Sequence, residues 1–261
     1  TYSFFVLYAN IDKFNYSEDE IEFSSKPEID RWILSELNTL TKNVDKFYSE
    51  YDPTKVARTI SDFTVEILSN WYVRLSRRRF WKGDYESDKI SAYQTLYTCL
   101  ITISKLAAPI APFFMDKLYL DLTKNISKTN HESVHLTTFP ISNELLIDSD
   151  LERKMKYAQK ISSLTLSLRA KEKIKVRQPL NKIMIPVSSH NQKNEIQAVS
   201  DLIKNEVNVK EIELLEGGSD ILVKNIKPNF KTLGPKYGKL MKDISNVVSK
   251  LNAEDIKKLE Q

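Results

Sequence analysis

The sequence predicts a mainly α protein: an antiparallel helical bundle followed by a small α/β domain. Apolar residues recur every three or four positions through the first half of the chain, which is the period of an amphipathic helix. Short β-like runs appear only after residue 180. Glycine is scarce, with five in 261 residues, and this disfavours sheets built from many tight turns. We therefore expect a connector over 1–25, the bundle over 26–145 and the α/β domain over 146–261.

The region 26–145 contains four predicted helices with short connections, as in an antiparallel bundle. The first starts near Pro27. The second follows the N-cap and first-turn proline of Asp52-Pro53 and runs to about Trp81. The third spans about 89–106, and Pro109 and Pro112 separate it from the fourth. The apolar positions on their predicted buried faces are Ile29, Ile33, Leu37, Leu40, Val44, Val56, Ile60, Phe63, Ile67, Tyr93, Leu96, Leu100, Ile103, Phe113, Leu118 and Leu122.

The region 146–261 mixes helical and β-like periods. A long helix is predicted over about 150–170, with a short extended piece at 134–136 before it. The later elements are β-like runs at 182–187, 209–214 and 221–223, a helix over about 192–205, and a final helix that starts near Lys236. Helices that alternate with β-like runs are typical of a small α/β domain.

Composition excludes several classes of protein. The single cysteine, Cys99, allows neither an internal disulfide nor a cysteine-based zinc site, so a reducing, cytoplasmic setting is expected. No apolar run reaches the length of a membrane span. The chain opens Thr-Tyr-Ser-Phe-Phe without a methionine or a signal sequence, and the connector shows no sustained period. We expect a fragment whose first residues pack on a neighbouring domain.

Basic residues are concentrated in three stretches. Residues 74–82 carry five basic side chains and no acid, 169–182 carry six and one acid, and 224–242 carry six and none. The net charge is only +4, so the rest of the chain is acidic. Basic stretches in an otherwise acidic chain are typical of a protein that binds a polyanion, although solvated lysine faces give similar numbers of basic residues.

The first basic stretch lies in NWYVRLSRRRFW, at residues 70–81. On an α-helix Trp71, Arg74, Arg78 and Trp81 share one stripe, because they are separated by three, four and three positions. Arginine offers a planar fork to phosphate, and tryptophan offers a face on which an unstacked base can lie. In the alternative interpretation the tryptophans belong to the core and the arginines bridge to acids such as Glu66 and Asp62.

The other two stretches give weaker predictions. In RAKEKIKVRQPL, residues 169–180, four cations alternate with other residues, so an extended strand would place Lys171, Lys173, Lys175 and Arg177 along one edge. Such an edge could follow a phosphate backbone or simply protect the strand from pairing. In NFKTLGPKYGK, residues 229–239, Gly234-Pro235 predicts a turn and Lys236 the start of a helix that could hold phosphate.

No catalytic or metal constellation is visible. His131 and His135 are four apart in a loop-like segment without a third ligand, which favours structural or exposed histidines. Cys99 lies among apolar helical positions and is expected to be a small core residue. No serine has a histidine and an acid that could activate it.

Eight strings match one known pattern along almost the whole chain: TYSFFVLYAN, DRWILSEL, YDPTKVARTISDF, NWYVRLSRRRFW, LAAPIAPFFMDKLY, SVHLTTFP, KVRQPL and NFKTLGPKYGK. Together they resemble the isoleucyl-tRNA synthetase family of class I aminoacyl-tRNA synthetases. The WYVRLSRRRFW form is similar to the eukaryotic and archaeal-type subgroup, which some bacteria share. Met115-Asp116-Lys117 departs from the pattern at a packing position. The resemblance implies a C-terminal, anticodon-binding fragment.

The resemblance also implies site residues and partners. It assigns contact with the anticodon stem and loop to Trp71, Arg74, Arg77, Arg78 and Trp81, and second-rank contacts with the RNA backbone to Lys171, Lys173, Lys175 and Arg177. The expected partners are tRNA(Ile) and the catalytic domain of the same chain, with no membrane and no metal. ATP and Mg are expected only in the full-length enzyme, which joins isoleucine to its tRNA and releases AMP and pyrophosphate.

The HIGH and KMSKS signatures that hold ATP in this class are absent, so the fragment should be inactive alone. Two alternatives remain. The chain could be the same portion of a valyl or other class I synthetase, since the helical-domain motifs are shared among them. It could also be a helical interaction scaffold without enzymatic function, whose basic stretches are solvated faces.

Overall fold

A computed structural model describes residues 1–14, 20–82, 84–124, 131–216 and 228–249. The chain forms two compact units, Thr1–Leu168 and Arg169–Gln261. The first is helical and the second combines helices with a small parallel sheet, so the predicted fold class is confirmed. Within the described ranges, none of the helices combines the length and apolar character that a bilayer crossing requires.

The first unit is built from helices joined by short connections. In chain order they are α1 (Tyr2–Ile11), α2 (Glu28–Ser49), α3 (Pro53–Asp62), a π-helical segment (Phe63–Val73), α4 (Arg74–Trp81), α5 (Ser87–Ala107) and α6 (Pro112–Thr123). Helix α7 (Ser149–Lys171) follows and continues three residues into the second unit. The helices α3 and α4 and the π-helical segment between them form one continuous run, which matches the second predicted helix.

Local chemistry sets the ends of these helices as predicted. The Asp52 carboxylate accepts a hydrogen bond from the Lys55 amide at 3.0 Å, and Pro53 occupies the first turn of α3, where its missing amide costs nothing. Helix α5 ends at Ala107 and α6 begins at Pro112, so Pro109 and Pro112 separate them.

The core of the first unit lies between α2, the π-helical segment and α5. Trp32, Tyr72, Tyr93 and Leu96 are fully enclosed there, and Cys99 is buried beside them. Burial raises the pKa of the Cys99 thiol, which therefore acts as a small apolar residue, as predicted. Phe113 is an exception to the predicted buried faces: it is 91% exposed at the start of α6, whereas Leu118 and Leu122 point inward.

Residues 1–14 differ from the irregular connector that the sequence suggests. Most of them form α1, which packs on α5 and, through Phe80, on α4 of its own unit. Phe4 meets Phe80 edge-on at 5.1 Å between ring centroids, and Phe14 stacks on Tyr93 at 4.9 Å. The Asp12 carboxylate, which follows α1, pairs with Lys89 at 2.9 Å. Aromatic packing therefore fixes a helix for which the sequence shows no amphipathic period.

Residues 134–136 also differ from the prediction of an extended piece. They form one 3₁₀ turn, because the Asp116 carboxylate accepts hydrogen bonds from the Ser133 hydroxyl at 2.7 Å and from the Val134 amide at 2.8 Å. Asp116 belongs to the Met115-Asp116-Lys117 string that departs from the family pattern, so this departure ties a loop to α6.

The second unit contains two parallel strands and the helices that connect them. Strand β1 (Leu180–Val187) pairs with β2 (Val209–Glu216) in the register Leu180 with Val209 and Val187 with Glu216. Parallel strands need a crossover, which α8 (His190–Ala198) and α9 (Ser200–Val207) provide. Ile196, Ile203 and Val207 from these helices are buried. The predicted strand at 221–223 lies outside the described residues.

The last described elements are α10 (Phe230–Tyr237), a 3₁₀ turn (Gly238–Leu240) and α11 (Met241–Val248). The prediction of a helix that starts near Lys236 after a Gly234-Pro235 turn is wrong. Asn229 caps α10 by accepting a hydrogen bond from the Lys231 amide at 3.1 Å, so both Gly234 and Pro235 lie inside a helix. The N-terminus proposed to hold phosphate at Lys236 does not exist.

Candidate nucleic-acid interface

A buried carboxylate fixes the rotation of α4 about its axis. Asp30 of α2 has no solvent exposure, and its two oxygens accept a bidentate pair of hydrogen bonds from Arg79 at 2.7 and 2.8 Å. It also accepts a hydrogen bond from Tyr72 at 2.8 Å and one from Ser91. Arg79 in addition donates to the Asp88 carboxylate at 3.0 Å. This network joins α2, the π-helical segment, α4 and α5.

The electrostatics of this network keep Arg79 charged. Burial opposes the charge, but hydrogen bonds to Asp30 and the surrounding negative charge outweigh it, so the pKa of Arg79 is raised. Burial and the charge of Asp30 also raise the pKa of Tyr72, which remains a neutral donor. A charged, bidentate pair that is removed from water is rigid, and it holds α4 in a single orientation.

The opposite side of α4 is a surface of cations and one indole. Arg77 and Arg78 are exposed, and Trp81 is 53% exposed. Neither arginine has an ion-pair partner among the residues that the structure describes, in contrast to Arg79. We call Arg77, Arg78 and Trp81 the α4 face. Spacings of three and four positions place all three on one side of an α-helix.

Trp71 and Arg74 do not belong to the α4 face. Trp71 is only 8% exposed, so its predicted outward orientation is wrong and the alternative, a core tryptophan, holds for this residue. Arg74 is half-buried and lies over the Trp71 ring, with its guanidinium carbon 5.6 Å from the ring centroid. Its Nε also donates to the Asn70 carbonyl at 2.7 Å. Arg74 therefore covers the buried indole at the border of the face.

The π-helical segment explains why the predicted stripe fails at Trp71. A π-helix closes its hydrogen bonds five residues apart instead of four, so successive residues turn through a smaller angle. The predicted stripe assumed one α-helical period from residue 71 to residue 81, but the segment extends to Val73. The α-helical spacing therefore relates only the residues from Arg74 onward.

The second basic stretch is not the extended edge predicted for it. Helix α7 continues to Lys171, and the chain then makes two turns before β1 begins at Leu180. Lys171, Lys173, Lys175 and Arg177 are nevertheless all exposed. We call residues 171–177 the basic loop. Lys182, on the adjoining strand, pairs with Glu213.

The third stretch contributes isolated exposed lysines. Lys231, Lys236, Lys239 and Lys242 are exposed on and after α10, and Lys227 lies outside the described residues. Within the part of the chain that the structure describes, these four lysines share no anchoring contact. Helix α10 also begins before the turn that would have placed them at a helix N-terminus.

Two anchoring residues were missed by the sequence interpretation, although a signal for each exists. Asp30 stands in an apolar helical stripe beside Ile29 and Ile33, and a buried carboxylate requires a cation partner. A run of three arginines on a helix cannot present every member to one side, so one of Arg77, Arg78 and Arg79 had to point elsewhere. The sequence does not show which one.

Known proteins are similar in sequence to this chain over most or all of its length. Residues 30–185 match the family model of the anticodon-binding domain of tRNA ligase. The chain is 56% identical to the isoleucine–tRNA ligase of Cytophaga hutchinsonii over all 261 residues, which are 24% of that protein. It is 55% identical to the Bacteroides thetaiotaomicron enzyme over the same length, 22% of that protein.

A more distant relative, the isoleucine–tRNA ligase of Dehalococcoides mccartyi, is 48% identical over 224 residues, which are 86% of this chain and 22% of that protein. The chain thus spans about a quarter of the length of the relatives it matches. The matched family model covers Asp30, the α4 face and the basic loop. The chain belongs to the family of anticodon-binding domains of tRNA ligases.

Proposed function

We propose that this chain is the tRNA-binding part of an isoleucine–tRNA ligase and that it grips the anticodon stem and loop of tRNA(Ile) with the α4 face. The observation that carries the proposal is the pair Arg77 and Arg78, exposed and without ion-pair partners among the described residues, beside the exposed Trp81. This surface lies within the matched anticodon-binding family model.

The chemistry of the α4 face suits RNA. Guanidinium groups bind phosphate through two parallel hydrogen bonds, and an indole stacks on an unpaired base for roughly 1–3 kcal/mol. The Asp30–Arg79 pair prevents α4 from turning these groups toward the core. Little orientational freedom then remains to be lost when RNA binds, which favours affinity.

The ligase reaction belongs to a longer protein in this proposal. The isoleucine–tRNA ligases to which the chain is similar are about four times its length. The catalytic domain would bind ATP and Mg and join isoleucine to the tRNA. The present chain would hold the anticodon end, so that binding energy there orients the acceptor end. Its own residues perform no bond chemistry.

Titration of the chain with isoleucine tRNA at several salt concentrations tests the proposal. If about five phosphates are contacted, the logarithm of the association constant should fall with the logarithm of the salt concentration with a slope near −4. A slope indistinguishable from zero would favour the alternative of a protein scaffold whose cations are only solvated.

A matched pair of variants tests the site. Changing Arg77 and Arg78 to glutamine should weaken tRNA binding and make the salt slope shallower by about one for each phosphate that is no longer bound. The control changes Lys42 and Lys46 to glutamine; both are exposed on α2 and already pair with Glu144 and Glu50. Equal reductions of affinity in the two variants would show that net charge, and not the α4 face, carries the binding.

A further inference from the structure

The basic loop is built around one buried arginine. Arg169 is only 2% exposed, and its guanidinium donates hydrogen bonds to three main-chain carbonyls: Lys175 at 3.1 Å, Gln178 at 3.0 Å and Asn208 at 2.9 Å. The first two carbonyls lie in or next to the loop, and the third immediately precedes β2. A single enclosed side chain therefore ties the basic loop to the sheet.

The backbone of the loop is specified in detail. The Ile174 amide donates to the Arg169 carbonyl at 2.8 Å and the Lys173 amide to the Ala170 carbonyl at 3.2 Å, which is the Schellman arrangement for ending a helix. Lys173 has the left-handed φ of 57° that this arrangement normally assigns to glycine. Asn208, with φ of 51°, adds a side-chain hydrogen bond to the Val176 carbonyl at 2.9 Å.

The cations on this framework are available to a ligand. Lys171, Lys173, Lys175 and Arg177 are exposed, and none has an ion-pair partner within the described ranges. Glu172 is the single acid among them. The carbonyls at the end of α7 favour positive charge nearby. Lys173 therefore carries a charge at a position where glycine would suit the backbone conformation better.

We propose that Arg169 is the positioning residue of the basic loop: it holds in place the four cations, Lys171, Lys173, Lys175 and Arg177, for which the family resemblance implies contact with the RNA backbone. The proposal rests on the function proposed above and adds to it the residue that orients these cations. Four cations held on a fixed backbone can meet successive phosphates, whereas the same cations on a mobile loop would have to be ordered first. Arg169 acts only through the loop, because its guanidinium is enclosed.

The first test compares two variants of equal charge in the same unit. One changes Lys171, Lys175 and Arg177 to glutamine and Lys173 to glycine, which suits its φ. The other changes the exposed Lys231, Lys236, Lys239 and Lys242 to glutamine. The loop variant should bind isoleucine tRNA roughly tenfold more weakly, with a salt slope shallower by about one for each phosphate it no longer holds. The control should keep the slope, and an equal change in both would overturn the proposal.

The second test isolates Arg169. Arg169→Met keeps length and removes the three carbonyl hydrogen bonds, so it should weaken tRNA binding although this residue cannot reach RNA. In the loop variant the same change should add little, because the cations it positions are gone. Effects on affinity that add fully would instead assign Arg169 a general structural role and overturn its positioning role.

A third variant covers the case in which Arg169→Met does not fold, as judged by circular dichroism. Asn208→Gly tolerates the φ and removes only the bond to Val176, so it should show part of the loop variant's effect and keep its melting temperature. Unchanged tRNA binding by Asn208→Gly would contradict the preorganised loop. If the parent chain binds no tRNA, both proposals fail; if only the α4 face variants bind more weakly, the positioning role of Arg169 alone fails.

Discussion

Trp71 and Trp81 stand on the same continuous helical run but in opposite environments. Trp71 is packed into the core beneath Arg74, and Trp81 is more than half exposed at the end of α4. The same residue type therefore supplies a core contact at one position and an open ring face at the other. The difference predicts separable roles for the two indoles, Trp71 in stability and Trp81 in the proposed RNA binding.

Alanine substitutions should separate these roles. Trp71→Ala should lower the free energy of unfolding by about 3–5 kcal/mol, the usual cost of removing a buried aromatic side chain. Trp81→Ala should change it by less than about 1 kcal/mol. In tRNA titration Trp81→Ala should cost roughly 1–3 kcal/mol, because it removes the stacking surface. Urea unfolding measures the first quantity, and a large decrease of stability in Trp81→Ala would contradict its exposed position.

Arg79 should behave differently from its two neighbours in sequence. Arg79→Met leaves the Asp30 carboxylate buried without its cation, which should cost about 3–5 kcal/mol in urea unfolding. Arg77→Met removes an exposed charge and should change stability by less than about 0.5 kcal/mol. Adding Asp30→Asn to Arg79→Met should recover part of the stability. If the double variant were no more stable than Arg79→Met, the charge of Asp30 would not be the source of the cost.

At the scale of the element, the Glu152 carboxylate of α7 joins α7 to α2, and its charge acts on a second carboxylate, Glu36 of α2. Glu152 of α7 accepts hydrogen bonds from Ser35 and, at 2.9 Å, from Thr39 of α2. Glu36 accepts a hydrogen bond from Trp32 Nε1 at 3.2 Å. Burial and the charge of Glu152 raise the pKa of Glu36 to about 7, against smaller effects of the Trp32 hydrogen bond and of Lys156 in the other direction. The contact is therefore strongest when Glu36 holds its proton.

This contact should make stability depend on pH. An acid whose pKa is raised in the folded state binds more protons there than in the unfolded chain, so stability falls as pH rises from the ordinary value near 4.5 through about 7. Glu36→Gln keeps the acceptor for Trp32 and removes the titration. At pH 8 it should increase the free energy of unfolding by roughly 1–3 kcal/mol and so raise the melting temperature. At pH 5 it should have little effect. Equal stabilisation at both values would exclude this cause.

The helical elements were predictable where a local signal was sufficient. The apolar period located α2 and α5, and Asp52-Pro53 located the start of α3. The period did not reveal α1, which depends on aromatic contacts with Phe80 and Tyr93, or the π-helical segment, whose apolar residues look like those of an α-helix. The basic loop was misread as a strand because alternating charges imitate a strand period, while the deciding contact comes from the buried Arg169.

At the scale of the whole molecule, the chain divides inside α7, later than the boundary near residue 145 that composition indicates. The long helix looks like the start of the second region in sequence, but Glu152 joins its first turns to α2. The same limit applies to the candidate site. The sequence located its basic stretches, but the placement of their cations also depends on contacts with residues distant in sequence. Asp30 binds Arg79, and Arg169 binds the Asn208 carbonyl.

The π-helical segment limits how the proposed RNA-binding surface could be transferred to another molecule. A synthetic peptide copied from Arg74–Trp81 would carry every charge and ring of the α4 face, but nothing would dictate which side of the peptide meets the RNA. The rotation of α4 about its axis is set by the π-helical segment that precedes it and by the Asp30 carboxylate on α2. A graft that keeps the orientation of the α4 face must therefore include the chain back to Asp30. A shorter graft would carry the same residues without the contacts that orient them.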